Sequence, residues 1–334
     1  MRYPFIDMHC DTLLHAYGYE EDDLYDRPGA MQGLRKMHDA GQMLQFYAAF
    51  FPPIGGKGVP DERGIEARAI TDDDAFFAEM HRILHTQVEK HSEIAAFADS
   101  AEEIEENFQR GRSSVYLSME DGRMIRGEMD RLSYVSRMGV KAIALTWNFD
   151  NCFGHPNSKD PIKMALPLTS FGREAIAEMN RLGILVDVSH LNDGGFRDVA
   201  MLSKKPFIAS HSNCRAITSH SRNLTDDMIR AIADSGGVAG LNFYDAFVVP
   251  DGEKTGFSTA TDLVRHVLHM MNAGGEDVIA LGTDFDGFSP AGEIRDVTEM
   301  EKLFDALSMA GLTDKQIEKF AYQNVLRVIR EVIG

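Results

Sequence analysis

Short apolar runs alternate with longer amphipathic segments along the whole chain. The runs "ILVDVS", "PFIAS" and "VIALG" are nearly continuous in apolar or small residues, as is typical of parallel strands covered on both faces. Eight such runs have the length and composition of strands. They are Phe5–Cys10, Met43–Phe51, Ser114–Met119, Lys141–Asn148, Ile184–His190, Pro206–Ser212, Gly237–Tyr244 and Val278–Asp284.

The segments between these runs have helical patterns and helix-end signals. "TDDMIRAIADSGG" opens with Thr225 as an N-cap and ends in Gly-Gly, and the last segment opens with a capping box formed by Thr313 and Gln316. Strands that alternate with helices favour a parallel sheet, and eight of them predict a (β/α)₈ TIM barrel of the α/β class. An open doubly wound sheet is the alternative, but no G-x-G-x-x-G follows the first strand.

Composition narrows the class of protein and its partners. The 334 residues are 44% apolar and 26% charged, which predicts an ordinary globular protein with one barrel domain over residues 1–334. The formal net charge of −18 repels polyanions, so neither nucleic acid nor an anionic membrane is an expected partner. Three widely spaced cysteines, no apolar run of bilayer length and no signal-peptide pattern predict a cytoplasmic protein.

Polar side chains stand where the predicted strands end. Because the carboxyl ends of barrel strands share one face, residues from several strands can meet there in one site. The residues concerned are His9 and Asp11 at the end of strand one, Glu120 at the end of strand three, His190 at the end of strand five, His211 at the end of strand six and Asp284 at the end of strand eight. We expect this set to converge.

The chemistry of this set points to a metal site. Imidazole nitrogens and carboxylate oxygens suit zinc or a similar divalent ion. One carboxylate can bridge two ions, which together polarise a carbonyl and generate hydroxide, while a further carboxylate moves the proton. The sequence therefore predicts metal-assisted hydrolysis of an amide or ester.

Other candidates are weaker. Arg222, in the loop after strand six, either holds a substrate carboxylate or forms a structural salt bridge. Tyr244 either donates a hydrogen bond to substrate or is a buried structural residue. The helical pairs His81/His85 and His266/His269 are expected on solvated helix faces, since "HRILH" lacks the glutamate of H-E-x-x-H.

Seven ordered motifs resemble the membrane (renal) dipeptidase family of zinc dipeptidases: "DMHCDT", "SMEDG", "DVSHLND", "IASHSNCRAI", "SRNLTDD", "GLNFY" and "GTDFDG". The resemblance implies a (β/α)₈ barrel with two Zn²⁺ ions and a metal-bridging hydroxide that attacks the peptide bond of a dipeptide. His9 and Asp11 would bind one zinc, Glu120 would bridge, and His190 and His211 would bind the second. Asp284 would be the catalytic aspartate, and Arg222 would receive the substrate carboxylate beside Tyr244.

One position departs from the family pattern. The renal enzymes carry a substrate-contacting histidine in a motif like L-T-H, whereas this chain has Trp147 in "ALTWNFDN". Trp donates one N–H and cannot become a cation, so metal, Asn148 or His155 would have to stabilise the tetrahedral intermediate. We expect the departure to affect substrate preference.

The resemblance leaves substrate and assembly open. It implies dipeptide substrates that include L-Xaa-D-Xaa, and a homodimer as one possible assembly. A related metal-dependent amidohydrolase that acts on N-acyl amino acids, lactones or cyclic amides is the alternative, and a non-catalytic metal-binding barrel is a third hypothesis.

Overall fold

The computed structural model describes residues 2–17, 23–56, 69–250, 252–289 and 292–334. Within these residues the chain forms nine strands, all joined in one parallel sheet. They are β1 Phe5–Cys10, β2 Gln42–Phe50, β3 Ala95–Phe97, β4 Ser113–Glu120, β5 Val140–Ala144, β6 Leu185–Asp187, β7 Ile208–Ala209, β8 Val238–Leu241 and β9 Ile279–Leu281.

The sheet closes into a barrel. Strand order runs β2-β1-β9-β8-β7-β6-β5-β4, and the pairing of β2 with β4, from Leu44↔Ser114 to Phe50↔Glu120, joins its two ends. The predicted (β/α)₈ barrel is therefore confirmed and the open doubly wound sheet is excluded. The short strand β3, absent from the sequence prediction, pairs in addition with the beginning of β4.

Several strands end earlier than the sequence predicted. Pairing stops at the ends of β5, β6, β7, β8 and β9, before the ends of the predicted runs Lys141–Asn148, Ile184–His190, Pro206–Ser212, Gly237–Tyr244 and Val278–Asp284. His190, His211, Tyr244 and Asp284 therefore lie in the loops just beyond the strands rather than at their last positions. Strand pairing ends where backbone N–H groups donate to side chains instead of to the neighbouring strand. Asp187, for example, accepts from the N–H groups of Ser189 and Ser210.

Helices surround the barrel, and the predicted caps form. Thr225 accepts from the Met228 N–H, and Thr313 with Gln316 forms the predicted capping box. The α-helices are Thr12–Ala16, Leu34–Asp39, Asp73–Lys90, Ala101–Gln109, Met129–Arg137, Pro161–Met164, Ser170–Leu182, Asp193–Leu202, Asp226–Asp234, Asp245–Val248, Gly252–Thr255, Ala260–Gly274, Glu301–Met309, Asp314–Glu318 and Asn324–Val332. Short 3₁₀ turns cover Gly122–Ile125 and Val297–Glu299, and a π-turn covers Lys319–Gln323.

Two apolar layers stabilise this arrangement. One packs the outer faces of the strands against the surrounding helices, and the other fills the barrel interior. The final helix contributes Val325 and Ile329 to the interior layer, where they meet Ile6, Leu185 and other residues from the beginnings of strands. Apolar side chains thus close the amino-terminal end of the barrel, which leaves the carboxyl ends of the strands for polar residues. No helix in the described ranges is long and apolar enough to cross a membrane.

The prediction that the two histidine pairs lie on solvated helix faces is wrong for His266, whereas His269 is partly exposed and pairs with Asp226. His266 is fully buried, with Nδ1 accepting from the Cys214 N–H and Nε2 lying 2.8 Å from the Val248 carbonyl oxygen. His81 and His85 are half-buried and stacked, and the His85 ring also stacks on Phe97. The buried side of each helix therefore includes polar histidine contacts as well as apolar ones.

Close strand approach at Gly240 in β8 yields a stability prediction. A Cβ there would lie 1.9 Å from the carbonyl oxygen of Ser210, so Gly240→Ala should cost about 3 kcal/mol or more of unfolding free energy. Gly41→Ala is the matched control: its φ of +68° is strained but no atom lies within 4 Å of the added Cβ, so about 1 kcal/mol is expected. Urea unfolding of both variants measures the difference, and equal costs would contradict the steric explanation.

Candidate metal centre and active site

Six predicted site residues converge at the carboxyl end of the barrel. His9 comes from β1, and Asp11 stands at the start of the short helix that follows it. The Nε2 atom of His9 lies 3.7 Å from Asp11 Oδ1, 3.6 Å from Glu120 Oε2 and 3.7 Å from Asp284 Oδ1. Cys10, between the two ligand candidates, faces the apolar layer instead. The His-x-Asp pair at the end of the first strand thus forms one side of a larger cluster.

The two oxygens of Glu120 divide the cluster into two groups. Oε2 faces His9, whereas Oε1 lies 2.8 Å from His190 Nε2 and 3.5 Å from His211 Nε2. The Nε2 atoms of His190 and His211 are 3.1 Å apart. Glu120 therefore stands between a His9–Asp11 side and a His190–His211 side, the arrangement that a carboxylate bridging two ions requires.

Burial makes the charges in this cluster costly. His9, Asp11, Glu120, His190 and His211 are buried, and the Asp284 side chain is only 13% exposed. Burial and the neighbouring Asp11 carboxylate raise the pKa of Glu120 to about 8, and burial raises the pKa of Asp284 to about 6. Burial lowers the pKa values of His190 and His211 well below the ordinary value, so both imidazoles are neutral, as metal ligands must be.

The residues present fit divalent metal ions. Ligand atoms of His9, Asp11 and Asp284 lie within 4.8 Å of one another, as do those of His9, Glu120 and His211. His9 Nε2 and Asp11 Oδ1 are buried without a hydrogen-bond partner among the described residues, a costly state for polar atoms. Neutral imidazoles with carboxylates are the donor set that zinc accepts. Cations in this cluster would satisfy these atoms and offset the repulsion among the carboxylates.

A buried aspartate orients His211. Asp187 Oδ2 accepts from the Ser210 hydroxyl at 2.5 Å, and Ser210 Oγ lies 2.7 Å from His211 Nδ1. Because the serine proton goes to the carboxylate, Ser210 accepts from Nδ1–H of His211, which assigns the lone pair to Nε2. The Ser189 hydroxyl oxygen accepts from the backbone N–H of His211 at 2.9 Å. The imidazole is thereby held with its lone pair toward Glu120.

Asp7 repeats the same design on the other side of the cluster. Its Oδ1 accepts from the N–H groups of His9 and Thr283, and its Oδ2 accepts from the Thr283 hydroxyl at 2.6 Å. Asp187 makes the corresponding bonds to Ser189 and Ser210. Each aspartate therefore joins the ends of two neighbouring strands just below the residues of the cluster.

The loop that carries Asp284 is held by further contacts. Asn242 Nδ2 donates to Asp284 Oδ2 at 2.9 Å. Asp284 has a φ of +65°, an uncommon value for a residue with a side chain. A Cβ on Gly287 would lie 2.5 Å from both Asp11 Oδ2 and Asp284 Oδ1. Only glycine lets the loop pass so closely over these two carboxylates.

Arg222 lies against the cluster and is buried. Its Nη1 donates to the Ser212 hydroxyl at 3.2 Å, its Nη2 to the His211 carbonyl at 3.3 Å, and its Nε has no partner among the described residues. Burial lowers the pKa of Arg222, and the carboxylates of Asp284 and Glu120 oppose that shift. The sequence left a structural salt bridge open, but no carboxylate in the described residues pairs with this guanidinium.

Tyr244 and Arg222 both contact Phe247. The Tyr244 ring contacts Phe247 and Phe288, with centroids 4.9 and 5.5 Å away, and the Arg222 guanidinium carbon lies 5.4 Å from the Phe247 ring centre. Phe247 therefore lies between the tyrosine and the arginine.

Trp147 lies at the rim of the cluster. Its ring centroid is 6.4 Å from that of His190. Asn148 is exposed and His155 pairs with Asp150 at 3.0 Å. Both residues line a surface pocket of about 260 Å³ in the loop after β5, together with Phe149 and Lys163. The structure thus places Asn148 and His155 in this pocket, whereas the Trp147 ring lies near His190.

Sequence reasoning missed the supporting residues Asp7, Asp187, Ser210, Asn242 and Gly287. A signal was present for the two aspartates, since each interrupts an otherwise apolar strand just before a candidate ligand. For Asn242 and Gly287 the signal could not be found, because their roles depend on loops that meet only after folding.

The bond between Ser210 and His211 yields a prediction for metal affinity. Ser210→Ala should weaken the binding of added Zn²⁺ by about 10- to 100-fold, because His211, a candidate ligand, loses its orienting partner. Competition of the folded protein with a chromogenic chelator measures this without any activity assay. Ser118→Ala is the control, since that buried hydroxyl has no hydrogen-bond partner among the described residues. Equal zinc affinity in both variants would contradict the orienting role.

Known proteins provide an independent comparison. The family model described as membrane dipeptidase (peptidase family M19) matches residues 1–333. An uncharacterized protein in the pqqA 5′ region of Klebsiella pneumoniae is 38% identical over 212 residues, which span 62% of this chain and 77% of that protein.

Two solved structures agree with this match. Dipeptidase AC, described as a metallo-peptidase of family M19, has a TM-score of 0.87 and 27% identity, with 100% of both chains covered. A metallo-peptidase from Rhodobacter sphaeroides, liganded with a phosphinate mimic of the dipeptide L-Ala-D-Ala, has a TM-score of 0.84 and 26% identity over 99% of both chains. The barrel, the cluster at its carboxyl end and these matches lead to one conclusion: the chain belongs to the membrane dipeptidase family.

Proposed function

We propose that this chain is a zinc-dependent dipeptidase with two Zn²⁺ ions per barrel. His9 and Asp11 would hold one ion, His190 and His211 would hold the other, and Glu120 would contribute one oxygen to each side. The observation that carries the proposal is the division of the Glu120 oxygens, one facing His9 and the other facing His190 and His211. A structural zinc site would need neither this bridge nor the additional carboxylate of Asp284.

Zinc bound by these residues would lower the pKa of water and polarise a carbonyl. The chain supplies the proton transfer. Asp284 lies 3.7 Å from His9 Nε2 and is held by the Asn242 amide. In the proposed reaction it accepts the proton of the attacking water and donates it to the departing amine.

Arg222 supplies recognition of the substrate carboxylate. A buried guanidinium beside the cluster, with Nε unpartnered among the described residues, can form a charge-assisted bond to the C-terminal carboxylate of a dipeptide. Hydrogen bonds to the Ser212 hydroxyl and the His211 carbonyl hold the Arg222 guanidinium beside the cluster. Tyr244, which contacts Phe247 beside this arginine, completes the same side of the site.

The substrate class follows from the site and from a relative. A site that pairs a carboxylate-binding arginine with nearby metal ions favours a short peptide whose scissile bond is next to its C-terminal residue. The Rhodobacter sphaeroides relative was liganded with a mimic of L-Ala-D-Ala, which supports L-Xaa-D-Xaa dipeptides as part of the substrate range.

The first experiment is hydrolysis of a dipeptide panel by zinc-loaded protein. The panel pairs L-Xaa-L-Xaa with L-Xaa-D-Xaa peptides and includes their N-acetylated forms, each with and without a chelator. We expect cleavage that requires metal and a free amino group. Asp284→Asn should lower kcat by about 10²- to 10⁴-fold, the usual contribution of a general acid–base, with zinc binding retained.

Two outcomes would contradict the proposal. Cleavage of only the N-acetylated forms would assign the protein to the related amidohydrolases. Stoichiometric zinc binding without cleavage of any peptide would support a non-catalytic metal-binding barrel.

A second prediction concerns the binding of the substrate carboxylate by Arg222. The test removes the carboxylate from the substrate and the guanidinium from the enzyme, separately and together. Wild-type protein should prefer a dipeptide over its C-terminal amide by about 30-fold or more in kcat/KM, since loss of a buried charged partner costs at least about 2 kcal/mol. In Arg222→Ala this preference should fall to within about threefold. A preference that survives the substitution would show that another group binds the carboxylate.

A further inference from the structure

An aromatic surface stands beside the cluster and has no part in the proposed chemistry. The rings of Phe50 and Trp147 meet edge-to-face with centroids 4.7 Å apart, and Phe149 follows at 5.8 Å from Trp147. We call Phe50, Trp147 and Phe149 the aromatic wall. Phe149 is 52% exposed, while Phe50 and Trp147 are half-buried. Apolar rings left open at the rim of a polar site are available to contact a ligand.

Strand register places the aromatic wall next to the cluster. In the barrel Phe50 is the partner of Glu120 in the β2–β4 ladder, and Glu120 is the partner of Ala144 in the β4–β5 ladder. Trp147 follows Ala144 in the loop after β5 and its ring lies 6.4 Å from the His190 ring. The wall therefore adjoins the bridging carboxylate and one histidine of the second group.

The backbone on either side of the wall is tied down. The Arg123 guanidinium donates to the carbonyl oxygens of Phe51 and Pro52, directly after Phe50. The Asn151 amide donates to Asp121 and to the Leu145 carbonyl, which ties the loop with Trp147 and Phe149 to the residue after Glu120. A surface held in this way binds a side chain without first having to be ordered.

Arg222 and the wall lie on different sides of the barrel mouth. Phe50 ends β2 and the loop with Trp147 follows β5, whereas Arg222 and Tyr244 follow β7 and β8. In the closed sheet β7, which Arg222 follows, stands four strands away from β2, which ends in Phe50, and two strands away from β5. A dipeptide with its carboxylate on Arg222 and its peptide bond at Glu120 and Asp284 therefore extends its amino-terminal residue toward the wall.

We propose that the aromatic wall binds the side chain of the amino-terminal substrate residue and selects apolar, above all aromatic, side chains. This inference rests on the proposed dipeptidase function and names its substrate class. Ring stacking and apolar burial provide the selectivity, since offset and edge-to-face aromatic contacts add to the burial of area. The neighbouring pocket with Lys163 and His155 is the competing surface, and it would favour an acidic side chain instead.

The sharpest test compares two peptides with the same variant. A smaller amount of folded protein lowers both kcat/KM values equally and therefore does not change their ratio. We would measure kcat/KM for Phe-Ala, Leu-Ala, Ala-Ala and Asp-Ala with zinc-loaded wild type, Trp147→Ala, Trp147→Phe and Phe149→Ala. Wild type should prefer Phe-Ala over Ala-Ala by about 10-fold or more. Trp147→Ala should remove most of this preference, Phe149→Ala should reduce it, and Trp147→Phe should retain it.

Tyr134→Ala is the matched control. This tyrosine is a partly exposed aromatic residue on the outer helix Met129–Arg137, so its removal should leave the Phe-Ala to Ala-Ala ratio unchanged. An equal loss for all four peptides in Trp147→Ala would overturn the inference, because the wall would then serve structure alone. A preference for Asp-Ala that disappears in Lys163→Ala would also overturn it.

Trp147 is the single tryptophan of the chain, so its fluorescence reports contact with the wall directly. Titration of zinc-loaded Asp284→Asn with Phe-Ala should change the emission and give a Kd at least about 10-fold lower than titration with Ala-Ala. Equal Kd values, or no change in emission, would contradict the inference even where peptides are cleaved. A different result is also informative: Phe-Ala changes the emission, but the wild type cleaves no peptide. That result would refute the dipeptidase function and still support the binding surface.

Discussion

The repulsion among buried carboxylates is the constraint on which the site depends. Asp11, Glu120 and Asp284 converge on His9 in a space with little solvent, and there the pKa of Glu120 rises to about 8 through burial and the nearby Asp11 charge. Such a cluster is costly unless cations offset it. Other contacts at the barrel mouth hold these carboxylates and imidazoles in place, so that their lone pairs and charges point into the centre of the cluster.

The barrel meets this constraint with repeated support below the cluster. Asp7 and Asp187 each accept two backbone N–H groups and one hydroxyl, and each joins two strands at the level where the ladder ends. The strands beneath supply rigidity, since apolar residues fill the interior and the last helix closes the opposite end. Ligand geometry is therefore set by buried hydrogen bonds on a rigid frame, as accurate metal sites require.

Polarity across the barrel mouth gives the site a direction. Arg222 lies after β7 and the aromatic wall lies beside β2 and β5, so in the proposed binding mode one end of the substrate meets a cation and the other meets apolar rings. The replacement of a family histidine by Trp147 acquires a physical meaning in this arrangement. An imidazole can stabilise charge, whereas an indole ring offers apolar area and stacking, which agrees with the proposed role of Trp147 in substrate selection.

The sequence by itself determined the barrel, the family resemblance and the residues that meet in the cluster. Alternation of apolar strands with capped helices identifies the (β/α)₈ architecture, and the carboxyl-end rule of barrels locates His9, Glu120 and Asp284 on one face. Tertiary structure decided what neighbouring strands and loops do to one another: the split of the Glu120 oxygens, the clamps of Asp7 and Asp187, the buried His266 and the pairing of Phe50 with Trp147. Such contacts depend on register and loop path, which side-chain periodicity along one strand does not encode.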